Sequence, residues 1–453
     1  MANEKELGPL GQLTPTYTLI TLGFPLEDES QQAPVVATLE KAAEDIIQVY
    51  PWLAGQVISE GFGDSSTGTY KIVRYEPHEA SSRFIHVKDC TDLCPSYADL
   101  VKARAPCSML DGSILSPAYG FGNMYPIDVV KPVCIMQANF VKGGLLLTIC
   151  TFHCVMDANG NDQFICQFAG LCHGEKPSEE YIHWANADPH TIVPPLKPGQ
   201  EPLSLEHIRK QSELSTTGST WPPPPSEGLW RSFRIPRASI SALKAEASKL
   251  CSPDSDIKYI SANDAVSTFL WIRIAAARSA HLPKDSNTAL LRAVNGRRKV
   301  DPPIHEGYMG HAVMCCSTSV PLKEALTEPL SALAIKVRRD LGQINDHAMR
   351  SFFRLLQTEK DKTTINYGAR MNLEADIMLT SWVAQKLYDA SFGDILGKPD
   401  FVMRPKLPDA LSLCYLMPQS RQGDIDAVMA LSNQDFEALQ ADAKWREFVE
   451  FLG

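Results

Sequence analysis

The 453-residue sequence lacks any run of about 18 apolar residues, the length that a membrane-spanning helix needs. It also lacks a basic start followed by an apolar stretch, so no secretory leader is predicted and we expect a cytoplasmic protein. Excess positive charge is missing as well, since 43 Lys and Arg face 53 Asp and Glu. The formal net charge of -10 provides no global field that would attract nucleic acid or an anionic membrane.

Several motifs of metal and nucleotide chemistry are absent too. The twelve cysteines form no pair of CxxC knuckles, so we predict neither a metal site nor a disulfide and expect reduced, buried thiols. Gly61-Phe62-Gly63 and Gly120-Phe121-Gly122 complete no phosphate-binding pattern and are predicted to be turns. No GxSxG sequence occurs, which disfavours a serine hydrolase. The nearest approach to a thiolate cluster matches no zinc spacing: Cys90, Cys94, Cys150, His153 and Cys154.

What the sequence does contain is a histidine and an aspartate four residues apart, His153 and Asp157, directly after an apolar segment. Residues 133–140 and 145–150 are apolar, rich in β-branched side chains and joined by Lys142-Gly143-Gly144, which predicts a tight hairpin. From about Asn161 apolar residues recur at helical spacing. His153 is therefore predicted at a strand-to-helix crossing, where a side chain can be held rigidly at a cleft.

A neutral imidazole at such a crossing could accept the proton of an alcohol or amine that attacks a thioester, because its ordinary pKa lies near neutrality. This reading predicts an acyl-transfer site and needs no covalent enzyme intermediate. The alternative from spacing alone is a structural histidine at a strand end beside a solvated aspartate. The other ten histidines have no recognisable catalytic context and are expected to be ordinary surface or packed residues.

The chain is long enough for two or three domains. Its composition changes between residues 188 and 228, where prolines, among them Trp221-Pro222-Pro223-Pro224-Pro225, favour a stiff, extended crossover. We predict an N-terminal domain at residues 1–204, a linker at 205–228 and a C-terminal domain at 229–453.

Periodicity predicts a helix over residues 35–49 that stops at Tyr50-Pro51, because proline cannot continue it. A second helix is entered through Pro236, with Leu250 on its apolar face, and a third starts at Ser261-Ala262-Asn263-Asp264 with near-capping-box spacing. Strands are predicted at residues 56–58, 229–235, 312–316 and 411–417. In such a strand Cys315 and Cys316 would point to opposite faces, which argues against a functional thiol pair.

Taken together, these motifs resemble the BAHD acyltransferase superfamily and are most similar to its fungal trichothecene O-acetyltransferase branch. The resemblance spans nearly the whole chain. In the first half it rests on Leu10-Gly11-Gln12-Leu13, residues 49–57, and residues 140–145 ahead of His153 and Asp157. In the second half it rests on residues 261–265, Phe269-Leu270-Trp271, Ala293-Val294-Asn295-Gly296-Arg297 and Thr380-Ser381-Trp382.

Two positions depart from the family pattern. The late DFG-type loop has Ser391 where the family has aspartate, followed by Phe392-Gly393, and Ala158 replaces the glycine that follows the HxxxD aspartate. The resemblance implies that this loop lies away from the chemistry. Ser391 therefore puts the rigidity of the loop in question rather than catalysis.

The resemblance implies an α/β (α+β) fold of two chloramphenicol-acetyltransferase-like domains, each a mixed β-sheet flanked by helices, with the active site in the channel between them. Acyl-CoA would enter from one face and an alcohol acceptor from the other. It also implies no permanently bound cofactor, acetyl-CoA as co-substrate, and a monomer.

By carry-over from the family, His153 is the general base that removes the acceptor proton and then protonates the departing thiolate. Asp157 is implied to turn away from the imidazole and to pair with Arg297. For Arg297 the alternative is a solvated surface charge beside Arg298 and Lys299.

The resemblance also suggests groups for the oxyanion and the acceptor pocket. Thr380 and Trp382 are candidates to donate to the oxyanion, and Tyr415 matches a pocket tyrosine of the branch. Trp382 and Tyr415 could equally be core aromatics.

The predicted activity is acyl-CoA-dependent O-acyl transfer, most simply of acetyl, to a hydroxyl of a small apolar secondary metabolite. Alternatives are N-acylation, an acyl donor delivered by a carrier protein, or a catalytically silent binding protein with the same fold. No carrier domain is evident in the sequence, which favours free coenzyme A.

Overall fold

The computed structural model describes residues 4–63, 66–74, 84–118, 130–209, 228–252 and 254–453. The architecture is mixed α/β. The described strands are β1 Glu4–Glu6, β2 Tyr17–Pro25, β3 Gln56–Gly63, β4 Ser66–Val73, β5 Ile85–Asp89, β6 Cys134–Val141, β7 Gly144–Phe152, β8 Leu229–Ile235, β9 Asn287–Asn295, β10 Val313–Pro321, β11 Ile377–Ser381, β12 Phe401–Met403, β13 Leu413–Leu416, β14 Ile425–Leu431 and β15 Glu450–Phe451. The described α-helices are α1 Gln32–Val49, α2 Tyr97–Ala103, α3 Gly112–Leu115, α4 Ala158–Cys172, α5 Glu179–Ala185, α6 Arg237–Ala247, α7 Ala262–Arg278, α8 Leu322–Thr327, α9 Leu330–Gln343, α10 Asp346–Thr358, α11 Gly393–Leu396, α12 Asn433–Ala441 and α13 Ala443–Phe448.

The strands form three sheets. A five-stranded sheet has the order β12-β2-β7-β6-β5, a seven-stranded sheet the order β10-β9-β11-β13-β14-β8-β15, and a small third sheet the order β1-β4-β3. Both large sheets are mixed, because β5 runs parallel to β6 and β11 runs parallel to β9 and β13 while the other pairs are antiparallel. Strand β12 comes from the C-terminal half of the chain yet pairs with β2, with Met403 opposite Thr21.

The hairpin predicted before His153 is confirmed as β6 and β7. Its turn holds Gly143 at a φ of 79°, a conformation that glycine adopts without strain. Both strands are buried along their entire length, which explains why their sequence reads as continuous apolar runs rather than as an alternation. The helix that follows, α4, begins at Ala158, three residues earlier than the periodicity suggested, because the carboxylate of Asp157 caps its first turn.

Other predicted elements are confirmed with shifted ends. The helix α1 stops before Pro51, and α7 opens with a capping box between Ser261 and Asp264. Strand β8 is found as predicted, and β10 runs on to Pro321. Leu250, expected on the apolar face of α6, lies beyond the end of that helix and is exposed.

The turn predicted at the glycine-rich segment Gly61-Phe62-Gly63 is wrong. It lies within β3 rather than in a turn, and Gly61 takes a φ of 74° there because glycine carries no Cβ to oppose it. The second glycine-rich segment, Gly120-Phe121-Gly122, and residues 210–227 of the predicted linker lie outside the described residues. The division of the chain at residues 205–228 stays a prediction.

The two faces of β11 pack in opposite directions. Leu379 belongs to the core of the C-terminal half, whereas Trp382, just after the strand, belongs to the core built on the five-stranded sheet. Met378, two residues before Thr380, packs against that same N-terminal core. Because side chains alternate along a strand, Thr380 shares the face that looks toward the N-terminal half. The site described below lies at this junction between the two large sheets.

Candidate active site

His153 directly follows the last residue of β7 and is held in place by its own backbone. Its main-chain N–H donates to the carbonyl of Thr16 at 2.7 Å, and its Nδ1 lies 3.4 Å from the hydroxyl of Thr14. The side chain keeps part of its surface open. An added Cβ on Gly11 would lie 2.3 Å from the carbonyl oxygen of Cys154, so only glycine lets the turn at Pro9–Leu13 approach the histidine segment this closely.

The electrostatic surroundings keep His153 neutral. Burial is the largest influence and lowers its pKa below the ordinary value, and the positive charge of Arg404 lowers it further. A hydrogen bond and the charge of Asp157 act in the opposite direction but do not compensate. An unprotonated imidazole can therefore accept a proton near neutral pH.

Asp157 is fully engaged away from the imidazole. One carboxylate oxygen accepts from the N–H of Gly160 at 2.9 Å, and the other from the N–H of Ala312 at 2.9 Å. Arg297 adds a bidentate pair at 2.8 and 3.1 Å. Burial alone would raise the pKa of this carboxyl, but the guanidinium and these hydrogen bonds lower it below its ordinary value. Asp157 thus joins α4 to the segment before β10.

Arg297 is only 2% exposed, which rules out the solvated alternative considered from the sequence. Besides Asp157, its guanidinium donates to Oδ1 of Asn295 and to the carbonyls of Tyr308 and Gly310. Every one of these partners lies in the C-terminal half of the chain, while Asp157 lies in the N-terminal half. The ion pair therefore ties the two halves together beside His153.

The residues suggested for the oxyanion and the acceptor pocket gather on and just after two central strands of the seven-stranded sheet. Thr380 on β11 and Tyr415 on β13 are register partners. The ring of Trp382 lies 5.9 Å from that of Tyr415, and the ring of Trp230 lies 5.7 Å from it in a tilted arrangement. Trp382 is buried, whereas Thr380 and Tyr415 are only partly buried. This aromatic group is both part of the core and a wall of the junction.

Two further residues reach the site without any signal in the sequence pattern. The ring of His311 lies 5.4 Å from that of His153, and neither of its nitrogens has a hydrogen-bond partner among the described residues. Burial lowers its pKa to about 3, helped by the neighbouring His153. Arg404, which follows β12, places its guanidinium over the rings of Tyr415 and Trp382. Only tertiary structure brings these two side chains to the histidine.

A cavity of about 330 Å³ opens beside β9 and β11, on the face of β11 that carries Leu379 and Ser381. It is lined by Ser381, which lies between Thr380 and Trp382, and by polar and basic side chains from the start of α7 and from β9 and α9. These are Ser261, Asn263, Asn295, Arg292 and Arg338. Arg292 and Arg338 both pair with Asp264 at the floor of the cavity.

The loop in which Ser391 replaces the family aspartate is anchored by other means. Phe392 is buried and packs edge-on against Phe24 at 5.0 Å, and its N–H donates to the carbonyl of Gly397. Gly393 has a φ of 86°, with the carbonyl oxygen of Cys172 2.8 Å from where its Cβ would lie. The loop therefore gets its order from the buried phenylalanine and the left-handed glycine.

Among the described residues, no helix is both long and apolar enough to cross a membrane. No group of three or more His, Cys, Asp or Glu side chains in that part of the chain could hold a metal ion. The cysteines are unpaired, and burial raises the pKa of thiols near the site such as Cys150.

Comparison with known proteins shows which family this chain belongs to. Residues 16–172 match the trichothecene 3-O-acetyltransferase-like N-terminal domain. The O-acyltransferase pigD of Monascus ruber is 34% identical over 98% of this chain and 98% of its own length. The trichothecene 3-O-acetyltransferase TRI101 of Fusarium sporotrichioides is 34% identical over 99% of this chain and 97% of its own.

The solved structure of one of these relatives has the same fold. The crystal structure of Fusarium sporotrichioides TRI101, complexed with coenzyme A and T-2, superimposes with a TM-score of 0.90 at 31% identity and covers 99% of this chain and 100% of that one. The chain belongs to the family of trichothecene 3-O-acetyltransferase-like acyltransferases.

Proposed function

We propose that this chain is an acyl-CoA-dependent O-acyltransferase that transfers acetyl from acetyl-CoA to a hydroxyl of a small apolar secondary metabolite. The observation that carries the proposal is a neutral, partly open imidazole, His153, whose neighbouring carboxylate is bonded elsewhere. The kinship with O-acyltransferases supports the reaction, and the complex of TRI101 with coenzyme A and T-2 supports the donor and the class of acceptor.

In the proposed mechanism, His153 acts as a general base without a covalent intermediate. Because Nδ1 faces Thr14, Nε2 is the nitrogen left to take the proton of the acceptor hydroxyl. The acceptor oxygen attacks the thioester carbonyl, and a tetrahedral oxyanion forms. Its collapse breaks the C–S bond, and the departing thiolate takes the proton back from Nε2. Base catalysis of this kind contributes about 10²–10⁴-fold in rate.

Other residues in the site have supporting roles in this proposal. Thr380 and Trp382 are the proposed donors to the oxyanion, a contribution worth about 3 to 4 kcal/mol where a donor is well placed. Tyr415 forms the acceptor pocket, and the cavity beside Ser381 admits the acyl-CoA. Asp157 and Arg297 keep the two halves in register. A division into domains at residues 205–228, a monomer and a cytoplasmic location stay predictions.

Thiol release from acetyl-CoA, with mass detection of the product, tests the proposal across a panel of sesquiterpenoid, polyketide and alkaloid alcohols. We expect acceptor-dependent turnover that falls by about 10²–10⁴-fold in His153→Ala. His207→Ala is the matched control, because His207 is exposed and remote in the chain from the site. Acetyl-CoA at 100 times its Kd should still stabilise His153→Ala by about 2.7 kcal/mol, which separates lost chemistry from lost binding.

Three results would contradict the proposal. Equal turnover by His153→Ala would remove the general base. Acylation of amines alone would point to an N-acyltransferase. Stabilisation by acetyl-CoA without turnover of any acceptor would point to a carrier-dependent enzyme or to a binding protein.

A further inference from the structure

The buried arginines of this protein fall into two groups. Of the six buried arginines among the described residues, five have hydrogen-bond partners in the folded chain: Arg231, Arg278, Arg292, Arg297 and Arg350. The sixth, Arg404, is 4% exposed and differs from all of them. Its Nε has no hydrogen-bond partner among the described residues, and its guanidinium faces no carboxylate there.

Arg404 lies where the two large sheets meet. It follows β12, which pairs with β2 of the five-stranded sheet, yet its side chain reaches the seven-stranded sheet. The central guanidinium carbon is 4.0 Å from the ring centre of Tyr415 and 5.0 Å from that of Trp382. The plane of nitrogen donors is therefore held against two aromatic rings of the proposed acceptor pocket.

The aromatic contacts stabilise this charge only in part. A cation stacked on aromatic rings is stabilised when it is desolvated, but burying an unpaired ion costs more free energy than that contact returns. Burial lowers the pKa of Arg404, but arginine does not lose its proton in proteins, so the charge remains. No described residue accepts a hydrogen bond from its Nε, so this donor is available to an oxygen that enters the site.

The position relative to His153 decides which oxygen that is. Arg404 is close enough to the imidazole for its charge to act on it. The phosphates of coenzyme A are separated from its sulfur by the length of the pantetheine arm, so with the thioester at His153 they cannot reach this guanidinium. An oxygen that the acceptor carries near its reacting hydroxyl can reach the guanidinium.

We propose that Arg404 is a specificity-determining residue that binds a carbonyl or carboxylate oxygen of the acceptor. The preferred acceptors are then alcohols with a ketone or an acid group a few bonds from the reacting hydroxyl, and with an apolar or aromatic body that packs on Trp382 and Tyr415. A guanidinium binds such oxygens with charge-assisted hydrogen bonds. This inference rests on the proposed function, since it names the substrate class of the same site.

The test compares two acceptors that differ in one group, a β-hydroxy phenyl ketone and the same alcohol with methylene in place of the carbonyl. We expect the wild type to prefer the ketone in kcat/KM. In Arg404→Met that preference should fall by about 10- to 100-fold, the range for a hydrogen bond to a charged group, with most of the change in KM for the ketone. Arg404→Lys should recover part of it. Arg298→Met, which removes an exposed positive charge, should leave the preference intact.

A binding measurement keeps the inference independent of turnover. Benzoylacetate, which carries both a ketone and a carboxylate, should raise the melting temperature of the wild type and not that of Arg404→Met. If this shift occurs but no alcohol is acetylated, the subsite stands and the proposed function fails. An equal loss of kcat for both acceptors in Arg404→Met would overturn the inference in favour of a role at the oxyanion or in folding. Absence of both the ketone preference and the benzoylacetate shift in the wild type would overturn it as well.

Discussion

The two sides of the HxxxD segment, one around Asp157 and one around His153, differ in whether their buried polar groups are hydrogen-bonded within the chain. On the side of Asp157, the carboxylate accepts from Gly160, Ala312 and both terminal nitrogens of Arg297. On the side of His153, a histidine ring has no partner for either nitrogen and an arginine has no counter-charge among the described residues. Both sides are buried to a similar degree, so burial alone does not explain the contrast.

This contrast distinguishes residues that support the structure from residues that meet the reactants. A buried charge with every hydrogen bond made is rigid, and removing one partner leaves the other stranded. A buried polar group without a partner is unstable in the folded chain unless a ligand completes it, and such groups collect at functional sites. The first pattern describes Asp157 and Arg297, and the second describes His311 and Arg404, which both lie beside His153.

The largest effect should come from breaking the paired side. In Arg297→Met, Asp157 loses the one ion-pair partner that it has among the described residues, and we expect the free energy of unfolding to fall by about 3 to 5 kcal/mol. Chemical denaturation measures this loss, with Arg298→Met as the exposed control, expected within about 0.5 kcal/mol of wild type. If Arg297→Met unfolded like the wild type but lost activity, Asp157 and Arg297 would belong with the catalytic groups and the contrast would disappear.

A smaller effect should come from loosening the packing that holds the paired side. A Cβ on Gly160 would lie 1.9 Å from the carbonyl oxygen of Met309, between the two carbonyls that Arg297 binds. Because that backbone must move, Gly160→Ala should destabilise the protein by about 1 to 3 kcal/mol. Gly342→Ala in α9 is the matched control, since nothing lies within 4 Å of its added Cβ, and it should stabilise by up to about 1 kcal/mol. Similar melting temperatures for the two variants would contradict this account.

Local sequence patterns predict the position of His153 but not the partner of Asp157. The hairpin of β6 and β7, and hence the place of His153, follows from apolar runs and a glycine turn, which are local patterns. The pair of Asp157 and Arg297 spans 140 positions and came only from the family resemblance.

No local pattern could have found Arg404. It reaches the site because a short strand from the C-terminal half crosses to the sheet of the N-terminal half. His311 arrives by a similar route, on the segment that leads into β10. Periodicity fixes which face of an element is apolar, but it carries no information on which distant side chains will share a junction.

The last predicted effect concerns the unpaired side and its response to pH, which is small per pH unit and accumulates over the titration range. Burial lowers the pKa of both His153 and His311, the latter to about 3, while in the unfolded chain each titrates near its ordinary value of about 6.5. Below that value the unfolded state binds more protons than the folded state, so stability falls as the pH is lowered. For His311 the expected slope is about 1.4 kcal/mol per pH unit and continues down to about pH 3, and His153 contributes in the same direction.

Comparing the unfolding free energies of the wild type and a His311 variant separates the contribution of this histidine from that of other titrating groups. Asp162 and Asp426 have pKa values raised by burial to about 6, so they take up protons in the folded state first and oppose the trend as the pH falls below about 6. The difference in unfolding free energy between the wild type and His311→Asn cancels these carboxyls and should itself fall by about 1.4 kcal/mol per pH unit below pH 6.5. A difference that did not change with pH would mean that His311 has a proton acceptor in the folded protein. The side facing His153 would then be as fully paired as the side facing Asp157.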